Sequence, residues 1–286
     1  MSKVLPFRWY GGKYSHLTWL LPRLPETEHY IEPFGGSAAV LLNRSPSSIE
    51  TFNEIDTEVT TFFRVLREQR EELLEQIALT PFARSELKNA VAARDQEGTT
   101  DLEKARAFFV RAGQTRSGLA QEATPGRWAY CKTTSRREMS GSVSRYYGRL
   151  DDLYAVAERL RRVQIENKPA LDVIERYDSE DALFYCDPPY PPAARTDTNA
   201  YGHEMSTADH RELADHLRSC SGKVAISSYR TDLYDDLFSD WTCLEAPEKT
   251  APTSADQRQE VLYVNYDPVV RDVNIGIEDP ARPGDR

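Results

Sequence analysis

An α/β fold, with a mostly parallel sheet carrying helices on both faces and a helical module inserted in mid-chain, follows from three observations. Short apolar runs that read as buried strands alternate with amphipathic runs at helical spacing towards both ends of the chain. A Gly-Gly-Ser turn follows the first of these strands directly, as in the βα unit that opens many doubly wound folds. Between about residues 66 and 167 the strand vocabulary stops, and helices broken by loops replace it. With 286 residues the chain has room for one large domain with an insertion, or for two ordinary domains.

Taken in order, "HYIEPFGGSAAVLLN" (29–43) reads as strand, glycine loop and helix, and "SIETFNEID" (48–56) as a second strand ending in acids. One helix is expected over 57–79, then "RSELKNAVAARDQEG" (84–98) and "LEKARAFFVRAG" (102–113), and an amphipathic helix over 144–162. Strands return with "VQIEN" (163–167) and, after the helical "PALDVIERY" (169–177), with "ALFYC" (182–186). A loop over 191–205, a helix capped by Ser206 or Thr207, the strand "KVAISSY", the helix "TDLYDDLF" and the closing strands "WTCLEAP" and "EVLYVNYD" complete the order. The expected organisation is a discontinuous domain of residues 1–65 and 168–270, an inserted domain of 66–167, and a flexible tail of 271–286.

No apolar run approaches the roughly 20 residues that cross a bilayer, and "MSKVLPFRWYGGK" has no signal-peptide core, so a cytoplasmic, membrane-free protein is expected. Cys131, Cys186, Cys220 and Cys243 lack CxxC spacing and are expected as reduced thiols. His203, His210 and His216 match no standard ligand pair, so no metal is expected.

The net charge of −10 argues against a polyanionic partner, but its distribution reverses that. From Arg106 to Arg149 nine basic residues face two acids, a balance of +7 that leaves −17 for the rest. Hydroxyls, glycines and aromatics interleave with this charge, which suits phosphate contacts with stacking or base-edge contacts. Arg116, Arg127, Trp128, Tyr130, Lys132, Arg136 and Arg137 are the candidate DNA-binding residues. A surface charge fluctuation, or a site for another protein's acidic surface, are the competing readings.

Three constellations carry chemistry. In "PFRWYGGK", Gly11 and Gly12 permit close backbone approach to a ligand while Trp9 or Tyr10 stacks and Lys13 supplies charge; an N-terminal turn packed on the core reads equally well. In "EPFGGS" with "FNEID", a glycine turn after the first strand and Glu54 after the second fit a nucleoside-containing cofactor. Neither GxGxxG nor GxxxxGK[ST] is present, so a nucleoside without phosphates fits better, and S-adenosylmethionine is the candidate, with Glu32 or nearby backbone groups at its amino-acid end. In "DPPY", Pro188 and Pro189 stiffen the chain behind Asp187 and leave carbonyls without competing donors. A carboxylate, a carbonyl and the Tyr190 ring, so held, can grip an exocyclic base amine.

These stretches, with "QEVLYVNY", resemble the Dam-like DNA adenine-N6 methyltransferases in identity, order and approximate spacing, over about residues 4–66 and 164–267. The resemblance implies a Rossmann-like S-adenosylmethionine methyltransferase sheet, with a mostly helical and loop target-recognition domain inserted. It implies that Trp9, Tyr10, Gly11, Gly12 and Lys13 line the cofactor pocket, that Glu32, Pro33, Phe34, Gly35, Gly36 and Ser37 lie beneath its methionine portion, that Glu54 binds the ribose, and that Ile55 and Asp187 also contact the cofactor. Asp187 and the Pro188 carbonyl would hold the N6 amine of an adenine flipped out of double-stranded DNA, with Pro189 stiffening the turn and Tyr190 stacking. Glu54 stands where the family usually has aspartate, and Ala38 where it usually has a second glycine. The same chemistry on cytosine N4 or RNA adenine, and a catalytically silent DNA-binding homologue, are the alternatives. The chain shows no recognised nuclease motif, so a restriction endonuclease would be a separate partner; a monomer is expected.

Overall fold

The computed structural model describes residues 3–116, 118, 120–191, 204–247 and 259–268. In chain order its helices are α1 (Leu17–Leu20), α2 (Ala39–Asn43), α3 (Thr57–Glu68), α4 (Arg70–Leu79), α5 (Arg84–Ala92), α6 (Asp101–Gln114), α7 (Gly141–Gly148), α8 (Leu150–Leu160), α9 (Ala170–Tyr177), α10 (Thr207–Ser219) and α11 (Asp232–Leu237). Its strands are β1 (His29–Glu32), β2 (Ile49–Asn53), β3 (Ser135–Arg136), β4 (Met139–Ser140), β5 (Gln164–Glu166), β6 (Ala182–Cys186), β7 (Lys223–Tyr229), β8 (Thr242–Glu245) and β9 (Glu260–Val264).

Seven of these strands form one sheet in the order β5-β2-β1-β6-β7-β9-β8, parallel from β5 to β7, with β9 antiparallel to both neighbours. The order reverses between β1 and β6, which opens a crevice beyond the carboxyl ends of the strands. Alternation along the strands sorts the core into two layers. Tyr30, Phe52, Leu183, Tyr185, Ala225 and Leu262 join one apolar cluster with α3, α6 and α8, whereas Ile31, Phe184, Cys186, Val224, Ile226 and Val261 join another with α9, α10 and α11.

The helices of residues 66–167 share the first cluster: Phe108, Phe109 and Tyr146 pack with Phe7 and Phe62, and Phe7 and Phe108 meet edge to face at 4.9 Å. Two long helices expected from periodicity each divide. At Gln69 the backbone turns to φ −132°, so α3 and α4 leave at different angles while each buries its own apolar face. α7 ends at Gly148, glycine being a poor helix interior residue, and Arg149 stands between it and α8. The β3–β4 hairpin arises where only basic loop was expected. Its turn holds Arg137 at φ +52° and Glu138 at φ +61°, a left-handed pair that two-residue hairpins require. Ser206 caps α10 in a reciprocal capping box with Asp209. Most of the 191–205 loop, His203 and the 271–286 tail lie outside the described residues.

Candidate active site

The chain turns at the end of β1 into Pro33–Ser37, and this loop is tied to β2. The Gly35 amide donates to the Asn53 carbonyl at 2.8 Å, and Asn53 Nδ2 donates to the Pro33 carbonyl at 2.8 Å and the Lys168 carbonyl at 3.0 Å. Gly36 sits at φ +52°, where a Cβ would lie 2.6 Å from Trp9 Nε1, so glycine is needed for both backbone and space. Ala38, at φ +56°, ends the loop and starts α2; an L-residue there is strained by about 1 kcal/mol. The departure from glycine at this position is thus borne as backbone strain.

Glu54 follows β2, buried, with the Gly36 amide donating to Oε2 at 2.7 Å and the Asp56 amide to Oε1 at 3.0 Å. Burial pushes its carboxyl up to about 7 against these hydrogen bonds, and burial likewise pushes Glu32 up to about 8, although Tyr30 donates its hydroxyl to Glu32 at 2.6 Å. The unfolded chain ionises both near pH 4.5, so the folded state holds more protons between that pH and about 8, and stability falls as pH rises through this window. Thermal unfolding without ligand is expected to lose on the order of 2–3 kcal/mol between pH 6.5 and 8.5, and Glu32→Gln to flatten the slope.

β6 ends at Cys186 and Asp187 follows it directly; the prolines behind hold the carboxylate over the crevice, with 19% of its side chain exposed. Lys13 Nζ lies 2.7 Å from Asp187 Oδ1 and 3.4 Å from Glu260 Oε1, donates to the Gly11 carbonyl at 3.0 Å, and sits 4.8 Å above the Tyr190 ring. Tyr190 is buried; its hydroxyl donates to Glu260, and its ring meets Tyr229 edge to face at 4.8 Å. Burial pushes Asp187 up to about 6, chiefly against the Lys13 ammonium, so it is ionised at neutral pH.

A cavity of about 290 Å³ opens here, and Trp9 to Lys13, Glu32 to Ser37, Glu54, Ile55, Asp187 and Pro189 all line it. Pro188 is buried beside it, and Tyr190 stands behind Asp187 with the Lys13 ammonium over its ring. Asn53, Gln121, Tyr185, Leu171, Met205 and Glu212 also line or brace the cavity and were not singled out by the sequence. Glu260 was missed as well, although it lies within the motif "QEVLYVNY". Among the described residues no cluster of His, Cys, Asp or Glu is arranged to hold a metal ion.

The basic block divides on folding. Arg111 is buried against Glu58 and the Ala90 and Ala120 carbonyls, and Arg106 pairs with Glu103 and Glu86, so neither offers charge to a partner. Arg127 pairs with Glu122 at 2.8 Å, and Trp128 packs on Phe82 with Arg84 over its ring. Arg116 stacks on Tyr130 at 4.5 Å, with Lys132 at 5.7 Å from the same ring. Arg116 and Tyr130 line a separate cleft of about 450 Å³ with Arg8, Ser142 and Arg145, none of these arginines pairing with a carboxylate of the described residues. Burial and the Arg145 charge hold Arg8 below the usual guanidinium range. Arg136 and Arg137 are exposed on the hairpin. Among the described residues no helix is long and apolar enough to cross a membrane.

A glycine loop after the first strand, an acid after the second and the Asp187–Tyr190 turn after the strand across the switch point go with a seven-stranded, mainly parallel sheet, a Rossmann-like methyltransferase fold. More narrowly, the chain belongs to the D12 class N6 adenine-specific DNA methyltransferase family, whose model matches residues 9–252. It is 25% identical to a DNA adenine methylase of Serratia marcescens, over 81% of this chain and 85% of that one. It is also 25% identical to the DNA N-6-adenine-methyltransferase of Escherichia phage P1, covering 82% of this chain but 31% of that longer protein. The Type II methyltransferase M.MjaIII of Methanocaldococcus jannaschii is 22% identical over 92% of this chain and its own full length.

Proposed function

We propose that this protein transfers the methyl group of S-adenosylmethionine to the N6 amine of an adenine flipped out of double-stranded DNA. The observation that carries the reading is the meeting, in one cavity, of Asp187 and Pro189 with the Gly35–Gly36 loop and the buried Glu54 carboxyl, Pro188 and Tyr190 standing directly behind. The cavity residues fit the cofactor chemically. Glu54 accepts from the Gly36 and Asp56 amides and keeps lone pairs for a ribose diol, Trp9 offers an apolar wall, and a Cβ at Gly36 would run into that wall.

When bound, S-adenosylmethionine supplies a sulfonium methyl: N6 gains the C–N bond, sulfur keeps the C–S electron pair as a thioether, and one amine proton is lost. Asp187 accepts a hydrogen bond from the amine, and the Pro188 carbonyl accepts the second, which draws nitrogen towards tetrahedral geometry and frees its lone pair from the ring. As positive charge develops on nitrogen, the ionised Asp187 stabilises it and is the nearest acceptor for the departing proton. The low polarity of the walls strengthens that interaction.

Calorimetric titration tests the cofactor assignment. S-adenosylmethionine should bind the wild type, and Glu54→Ala should weaken it roughly 10- to 100-fold by removing a charged hydrogen-bond acceptor. No binding by the wild type would overturn the assignment.

Arg8, Arg116 and Arg145, which pair with no carboxylate among the described residues, and the exposed Arg136 and Arg137, of which Arg137 lies 3.8 Å from Asp151, support a DNA partner whose phosphates supply counter-charge. Replacing Arg136 and Arg137 together by alanine should weaken binding to duplexes of any sequence and flatten the salt dependence by about one unit of slope for each phosphate that is no longer neutralised. Fluorescence anisotropy across a salt series reads this out, and an unchanged slope would take the hairpin off the DNA.

A further inference from the structure

We propose that Glu260 is a positioning residue that keeps Lys13 ready to give up Asp187 when the substrate amine arrives. The inference rests on the amine-methylating reading above and adds a residue to it. Lys13 occupies the position that reading reserves for the substrate: its ammonium is 2.7 Å from Asp187 Oδ1 and lies over the Tyr190 ring. An ammonium and an exocyclic amine are both nitrogen donors, and both require the same carboxylate oxygen.

Lys13 is 4% exposed, so expelling its ammonium from Asp187 with nothing to receive it would leave a buried charge unpaired, a large penalty. Glu260 removes that penalty. Its Oε1 is 3.4 Å from Nζ, within reach by a sub-ångström shift of a flexible side chain, and the Gly11 carbonyl at 3.0 Å keeps a second bond throughout. Glu260 is itself fixed. It begins β9 in register with Tyr229 of β7, whose ring packs on Tyr190, and Tyr190 donates its hydroxyl to Glu260. Once Lys13 moves to Glu260 the two neutralise each other, and the Asp187 charge is left for the amine that becomes cationic.

The test is Glu260→Gln in the full-length protein, measured by steady-state methylation of duplex DNA over a pH series. Without the second carboxylate, Lys13 stays on Asp187. The expected results are a kcat lower by roughly 10- to 100-fold, S-adenosylmethionine affinity within about threefold of wild type, and the acidic limb of kcat/KM moved to lower pH. The direction follows from the groups facing Asp187. Lys13 and the Tyr190 hydroxyl hold its carboxyl down and Glu260 pushes it up; of these only Glu260 loses its charge, and Tyr185, Glu32, Cys186 and Tyr234, which also surround it, are unchanged. Glu260→Asp, which keeps a carboxylate but draws it back from Nζ, should lower kcat less than Glu260→Gln and move the limb in the same direction, and it serves if Glu260→Gln does not fold. Wild-type kcat with an unmoved limb in Glu260→Gln would overturn the proposal, as would a loss of kcat accompanied by lower thermal stability and an unmoved limb; for Glu260→Asp alone, a limb moved to higher pH would do so. Carbon-13 NMR titration of the Asp187 carboxyl in the two proteins reads the same shift without turnover. A wild type that methylates nothing would therefore defeat the function assigned to the site while leaving the Glu260 coupling open to measurement.

Discussion

Asp187→Ala is expected to cut methyl transfer by about two to three orders of magnitude while leaving the fold and the cofactor pocket in place. The loss falls on the transition state. The carboxylate meets a neutral amine in the ground state and a cationic one as the C–N bond forms, so kcat should drop far more than KM rises. The fold survives because the substitution does not strand a charge: Lys13 retains Glu260 at 3.4 Å and the Gly11 carbonyl. Asp187 is also held above its ordinary range by burial, so removing it relieves a desolvated acid. Single-turnover assays with thermal unfolding on the same preparation separate the two effects, and a variant retaining most of the wild-type rate would contradict the role given to Asp187.

Gly35→Ala is expected to damage the molecule by a different route. A Cβ at this position would lie 1.9 Å from Phe52 Cε2 and 2.4 Å from Cζ, and Phe52 is fully buried between β2 and α3. The ring touches Phe63 edge to face at 5.4 Å and has no free space to enter, so either it or the loop must move. Overpacking of this kind costs about 1–3 kcal/mol. Because the same loop carries the Gly36 amide to Glu54, the shift should also lower cofactor affinity. A thermal midpoint within about 1 °C of wild type would show that the loop yields without loss.

The sheet was legible because its signals are local. β6 is a short apolar run, β1, β2 and β7 set apolar residues among polar ones over a few positions, and the glycine turn, Glu54 and the double proline mark the strand ends that face the crevice. The cavity residues could be named for the same reason, since they cluster on three loops at those ends. Glu260 was not legible: it reads as one more acid before a strand, and its meaning comes from the β7–β9 register that sets it beside Tyr190, some 70 residues away in sequence. The basic block misled in part, because a charge count cannot separate Arg111, spent on Glu58 inside the core, from Arg145, which faces an open cleft. Arg8 belongs with that cleft although it lies in the N-terminal loop, far from the block in sequence. Helix breaks at Gln69 and Gly148 escaped periodicity because the apolar spacing continues across them while the axis changes.

The central claim is tested most directly by incubating the protein with unmethylated duplex DNA and S-adenosylmethionine carrying a labelled methyl group, digesting the product to nucleosides and weighing them. Label in N6-methyladenine, absent with Asp187→Ala, is the predicted result. Label in N4-methylcytosine, label only when RNA is supplied, or no transfer by a protein that binds both cofactor and DNA would contradict it.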